Sequence, residues 1–199
     1  MAKIYSESIK AITHIPSWAA SEEDYGDKIK TTQAAYKLVP LVYRSIRLRC
    51  DAISSVPVIA KLAPQVTDIT VIARAAEDAG ADAVSLINTF PAMAIDVNKR
   101  RSVLGNFTGG LSGPAIRPMA VHMVYQTAQR VKIPIIAMGG IMTADDALQF
   151  ILAGATMVAV GTANFINPRA PVEVLEGIKD YMRKNKIADV KELIGRLET

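Results

Sequence analysis

Cysteine is nearly missing from this chain: Cys50 is the only one in 199 residues. That excludes an intrachain disulfide framework and fits a reducing compartment. One thiol cannot hold an iron–sulfur cluster, and the two histidines, His14 and His122, have neither triad nor metal-ligand spacing. Long apolar runs are also lacking. None approaches the roughly 18 residues of a membrane span, and the stretch from Met1 to Glu7 has no apolar core of a signal peptide. A cytoplasmic protein without a membrane segment is expected. Nor does one sign of charge dominate. The balance of 23 Lys and Arg against 19 Asp and Glu leaves +4 with no basic block, so charge gives no reason to expect nucleic-acid binding. What is present is ordinary for a globular domain with a core: half the residues are apolar and 21% are charged.

Composition changes near Val56-Pro57. Before it lie Trp18, the only tryptophan, four of the six tyrosines and a single glycine, Gly26; the other eleven glycines follow it. The expected division is a mostly helical segment, residues 1–56, ahead of an α/β unit, residues 57–199. In the first part, residues 41–53 read as an amphipathic helix. Leu41, Val42, Ser45, Ile46, Arg49, Ala52 and Ile53 share a stripe, with Arg44, Arg47 and Asp51 off it. Residues 35–58, ending in Ser-Val-Pro-Val, weakly resemble the early region of tailed-phage portal proteins. A natural helical extension and a join between unrelated sequences both stand as explanations, and the join is favoured.

From Pro57 the pattern is periodic. Val58 to Leu62 is a short apolar strand with little alternation, as expected when both faces are covered. Thr67 is a candidate cap for the next helix, where Ile69, Ile72, Ala76 and Ala79 share a face before Gly80 stops it. Ala83 to Ile87 forms a second strand. A long connection follows, with a hairpin expected between residues 93–96 and 102–104. Pro114 opens a helix to about Val131. Ile133 to Met138 is a third strand ending in Gly139-Gly140. Thr143 to Asp146 spells a capping box for a helix with Leu148, Ile151 and Leu152 inward. Met157 to Val160 is a fourth strand, followed by Gly161-Thr162, and helices near 170–184 and 189–197 end the sequence.

Strand–helix repetition with buried strands predicts a parallel sheet, either doubly wound or a barrel. Glycines at the ends of the last two strands favour the barrel, where phosphate commonly binds after the final strands. A residue without a side chain lets an oxyanion reach backbone N–H groups. Simple turns remain the alternative at either strand end.

Five stretches then become recognisable: Val58 to Pro64, Ser85 to Thr89, Thr108 to Ile116, Met138 to Ile141 and Val160 to Phe165. In order and spacing they resemble class 1 dihydroorotate dehydrogenases, in the subclass that works with a separate iron–sulfur flavoprotein subunit. The resemblance implies strands five to eight, the C-terminal half, of a (β/α)8 TIM barrel. It also implies FMN-dependent oxidation of dihydroorotate to orotate in pyrimidine biosynthesis. By the same resemblance Lys61, Ile87, Gly113, Gly139, Gly140, Gly161 and Thr162 would bind FMN. Lys61 would lie at the flavin's pyrimidine edge, and the last five residues would hold its phosphate. Asn88 and Thr89 would meet the polar edge of the substrate. Snorkelling for Lys61 and capping for Asn88 and Thr89 are the structural alternatives. Implied partners are dihydroorotate or orotate and an electron-transfer subunit carrying FAD and an iron–sulfur cluster, and a homo-oligomer is expected.

Three features of that family have no counterpart here: the base-bearing run, the early Lys-Gly flavin contacts and the Asn-rich substrate loop. The subclass places its base cysteine in an Asn-x-Ser-Cys-Pro-Asn run, and no such run occurs in this sequence. Cys50, within Arg-Leu-Arg-Cys-Asp, reads as a small packing residue, and His122 as a surface or helix-packing residue. No catalytic residue and no metal ligand is assigned, and the chain alone is expected to be inactive. A phosphate- or FMN-binding half-barrel without catalysis, and a chimera with a phage structural fragment, are the alternatives.

Overall fold

The computed structural model describes residues 57–198. The stripe at 41–53, Cys50 and His14 fall outside those residues, as does the segment likened to portal proteins apart from its last two positions.

Four parallel strands form the main sheet: β1 (Ile59–Leu62), β2 (Ala83–Leu86), β7 (Ile135–Met138) and β8 (Met157–Ala159), in that spatial order. Register runs Lys61, Ser85, Ile136, Met157 across one row and Leu62, Leu86, Ala137, Val158 across the next. Side chains alternate between faces along a strand, so these rows separate two environments. On one face Ala60, Leu62, Val84, Leu86, Ile135 and Ala137 are buried under helices. On the other, Ile59 and Met157 stand exposed and Lys61, Ile136 and Met138 are half-buried. Among the described residues the sheet is thus packed on one face and half-open on the other.

The covering helices form where the pattern expected them, with local corrections. Helix α1 (Ile69–Asp78) buries Ile69, Ile72 and Ala76. Its cap is Asp68 rather than Thr67: the backbone of Asp68 is extended and its carboxylate accepts from Thr70 N at 2.9 Å. The helix expected to open at Pro114 begins instead as a single 3-10 turn, Pro114–Ile116, and becomes α2 only at Arg117–Ala128. Pro118 explains the break. It has no N–H to donate to the carbonyl of Pro114, so it fits only in the first turn of a helix that starts later. Helix α3 (Ala144–Leu152) starts with the expected capping box, Thr143 accepting from Asp146 N and Asp146 from Thr143 N. Leu148 and Ile151 are buried, whereas Leu152 is half-buried.

A four-residue helix, α4 (Ala163–Ile166), follows β8 and precedes α5 (Ala170–Asn185). The helix expected at 189–197 is only a 3-10 turn, Val190–Leu193. Helices α3 and α5 pack closely because Gly177 faces Ala144: a Cβ there would stand 2.5 Å from that of Ala144. Phe150, fully buried on α3, is the largest side chain of the core.

The connection after β2 carries two antiparallel pairs. β3 (Phe90–Ala92) pairs with β6 (Gly109–Leu111), and inside them β4 (Ile95–Asp96) pairs with β5 (Arg101–Ser102). The expected hairpin is present but narrower, because Asp96 accepts from Asn98 N and Lys99 N and turns the chain early.

Candidate functional site

Four segments meet where the strands end: the one after β2, the one leading into α2, and the turns after β7 and β8. Between them lies a cavity of about 170 Å³ lined by Lys61, Ile87, Asn88, Thr89, Ser112, Gly113, Ile116, Met138, Gly139, Gly140, Ala159, Val160, Gly161 and Thr162. All nine residues singled out from sequence line this one cleft, although they span about a hundred positions of chain. Parallel strands are what gather them, since every strand delivers its end to the same rim.

The side chains are held by ordinary local forces. Lys61 projects from β1 on the half-open face, opposite Ser85. Ile87 is buried, and its N–H donates to Met138 O at 3.1 Å, locking the end of β2 to the end of β7. Asn88 N donates to Leu62 O at 3.1 Å, which ties the same turn to β1. Thr89 is fixed from outside, its carbonyl accepting Gln65 Nε2 at 2.9 Å. Thr162 Oγ1 donates to Ser112 Oγ at 2.9 Å and joins the β8 turn to the loop before α2. Ser112 was not singled out from sequence. Its position beside Gly113 was the available signal, and only the fold makes it a neighbour of Thr162, fifty residues away.

The glycines divide into two kinds. At Gly139 a Cβ would stand 2.9 Å from Ala120 Cβ, and at Gly140 it would stand 2.5 Å from Gly113 O and 2.9 Å from Arg117 Cβ. Both have left-handed φ, +133° and +80°. Protein therefore already fills the space their side chains would take, and packing alone requires glycine there. At Gly161 a Cβ would meet nothing within 4 Å among the described residues. That residue is exposed at the mouth of the cleft, where a ligand could approach its backbone unhindered.

Behind the cleft, Asp146 is buried. Its Oδ1 lies 2.5 Å from Arg117 Nη1, and its Oδ2 accepts from Met142 N at 2.9 Å and Thr143 N at 3.0 Å. His122, on α2, is exposed and does not line the cleft. Among the described residues no group of three or more His, Cys, Asp or Glu is placed to hold a metal ion, and no helix is long and apolar enough to cross a membrane.

The family model for dihydroorotate dehydrogenase matches residues 26–182. A dihydroorotate dehydrogenase B (NAD(+)) catalytic subunit of Lachnoclostridium phytofermentans is 66% identical over 139 residues, 70% of this chain and 46% of the relative. The protein of the same name from Geotalea uraniireducens is 57% identical over 166 residues, 83% of this chain and 52% of its own length. That from Trichlorobacter lovleyi is 49% identical over 195 residues, 98% and 64% respectively. The chain spans about half the length of the curated relatives it matches. The resemblance of residues 35–58 to a portal protein finds no support in these comparisons.

Proposed function

The chain belongs to the dihydroorotate dehydrogenase family, and from that membership we propose that it forms the cofactor-cradling part of an FMN-dependent enzyme that oxidises dihydroorotate to orotate in pyrimidine biosynthesis. Its four parallel strands correspond in this proposal to strands five to eight of a (β/α)8 barrel. The observation that carries it is the convergence of Lys61, Ile87, Asn88, Thr89, Gly113, Gly139, Gly140, Gly161 and Thr162 on one cleft. The open approach to Gly161 fits a bound phosphate, and the half-open face beneath fits a flat ring.

FMN, when bound, supplies the hydride acceptor; the protein's part is to bind, orient and polarise. Lys61, half-buried at the end of β1, would place a positive charge beside the ring's pyrimidine edge. Ile87 would pack against the ring, while Gly113, Gly139, Gly140, Gly161 and Thr162 would surround the phosphate. Asn88 and Thr89 offer an amide and a hydroxyl to the polar edge of the substrate. Ligands of flavin size occupy pockets of about 300–1,000 Å³. The present cavity therefore encloses only part of FMN, and the rest would lie over the open face.

A cytoplasmic enzyme is proposed, passing its electrons to a separate subunit with FAD and an iron–sulfur cluster. Homo-oligomerisation is part of the same proposal. The name of the relatives, an NAD(+)-linked catalytic subunit, supports a partner of that kind. The division of the chain at residue 57 stays part of this proposal, although the family match begins at residue 26 and runs through it; the residues before 57 lie outside those described. No described residue offers itself as the base, and general-base catalysis contributes typically about 10²–10⁴-fold. The chain alone is therefore expected to bind flavin without turning over dihydroorotate.

The test is a titration of the purified chain with FMN, read by flavin fluorescence, beside Gly161→Leu and Lys61→Met. Binding that weakens in both variants without loss of thermal stability is expected. A chain that takes up no FMN, or variants that bind it unchanged, would overturn the assignment. Dihydroorotate turnover by the isolated chain with an artificial acceptor, within tenfold of an intact relative, would overturn the view that the base lies elsewhere.

A further inference from the structure

Arg117 and Asp146 do not line the cleft, yet between them they touch two of its three glycine-bearing segments. Asp146 Oδ2 holds the N–H groups of Met142 and Thr143, two and three residues beyond Gly140. Asp146 Oδ1 holds Arg117, the first residue of α2, one position after the turn that Gly113 introduces. Arg117 also packs directly on Gly140, whose absent Cβ would lie 2.9 Å from its own. One ion pair therefore ties the segment carrying Gly113 to the segment carrying Gly139 and Gly140. The pair has a charge consequence too. Asp146 is 6% exposed, and a carboxylate that deep needs its counter-charge. Without Arg117 its negative charge, held only by the two backbone N–H groups, would stand behind the loops assigned to a phosphate.

Resting on the phosphate assignment made above, we infer that the Arg117–Asp146 pair is the positioning element of the phosphate cradle. It fixes the spacing of the two glycine loops and cancels the negative charge behind them. Both effects act on the phosphate end of a ligand and leave the ring end alone. A ligand with the same ring and sugar-alcohol chain but no phosphate should not register the loss of the pair.

FMN and riboflavin are that matched set. The experiment titrates the full 199-residue chain with each, following flavin fluorescence, for the parent, Arg117→Met and Arg117→Lys. Losing one partner of this pair, in which Asp146 is buried and Arg117 half-buried, should weaken FMN binding by roughly tenfold in Arg117→Met while riboflavin affinity stays within about twofold. Arg117→Lys keeps the charge but not the forked geometry, and should lose about threefold for FMN only. Equal losses for the two flavins would overturn the inference, because they would mark a general structural role. Unchanged FMN affinity in Arg117→Met would overturn it as well. If Arg117→Met does not fold, Arg117→Lys decides by the same comparison. A parent chain that binds no FMN would instead overturn the flavin assignment, and that result depends on neither variant.

Discussion

Alanine at Gly140 and alanine at Gly161 look like the same substitution in sequence but should differ by several kcal/mol. At Gly140 the backbone has φ +80°, and a left-handed conformation costs a residue with a Cβ about 1–2 kcal/mol. The new Cβ would also stand 2.5 Å from Gly113 O and 2.9 Å from Arg117 Cβ. Neither neighbour is the free end of a flexible side chain: one is backbone and the other is anchored by the bond to Asp146. Forcing extra volume into such a place costs about 1–3 kcal/mol. Together these give a loss of about 2–5 kcal/mol for Gly140→Ala, a large share of the 5–15 kcal/mol typical of a domain. At Gly161 φ is not left-handed and no described residue lies within 4 Å of the added atom. Gly161→Ala should leave stability unchanged or raise it by up to about 1 kcal/mol, through the stiffer unfolded chain. Urea unfolding of both variants, followed by circular dichroism, measures the difference. Equal midpoints, or a Gly161→Ala variant as damaged as Gly140→Ala, would refute the division of the glycines into packed and open.

Other parts of the core make equally direct statements. Thr127 is fully buried on α2 and its hydroxyl has no hydrogen-bond partner among the described residues; Thr127→Val should stabilise by about 1 kcal/mol, and a clear loss of stability would show that the hydroxyl is partnered after all. Phe150→Ala should cost about 3–5 kcal/mol, whereas Phe165→Ala, at a side chain 92% exposed on α4, should stay within about 0.5 kcal/mol; thermal melts of the two separate the cases.

Much of this architecture is written locally. The alternation of short apolar strands with amphipathic helices and glycine stops places β1, β2, β7, β8, α1 and α3 within one or two residues, because burial on the packed face enforces the pattern. Where a single residue decides the outcome, pattern alone fell short. Pro118 moves the start of α2, Asp68 takes the capping role expected of Thr67, and residues 189–197 make one turn instead of a helix. The strand-end residues Gly139, Gly140, Gly161 and Thr162 were legible as a candidate phosphate site from their place after the last two strands; the other site residues were legible only through family resemblance, since nothing in the spacing puts Lys61 in the same cleft. Least legible were the side-chain pairs that cross the fold, Thr162 with Ser112 and Arg117 with Asp146. Their partners are fifty and twenty-nine residues apart, and no periodicity links them.

The order of strands in the sheet has a consequence in time. β2 and β7 are flanked by strands on both sides, while β1 and β8 each have one strand neighbour among the described residues. Amide protons in the two central strands can exchange with solvent only when the sheet as a whole opens, whereas those at the rim have shallower openings available. The turn with Gly139 and Gly140 follows a central strand, and the turn with Gly161 follows a rim strand. A ligand held by both turns would fasten the rim to the centre. Its binding would then be recorded as slowed exchange along β8, with β7, already slow, scarcely changing.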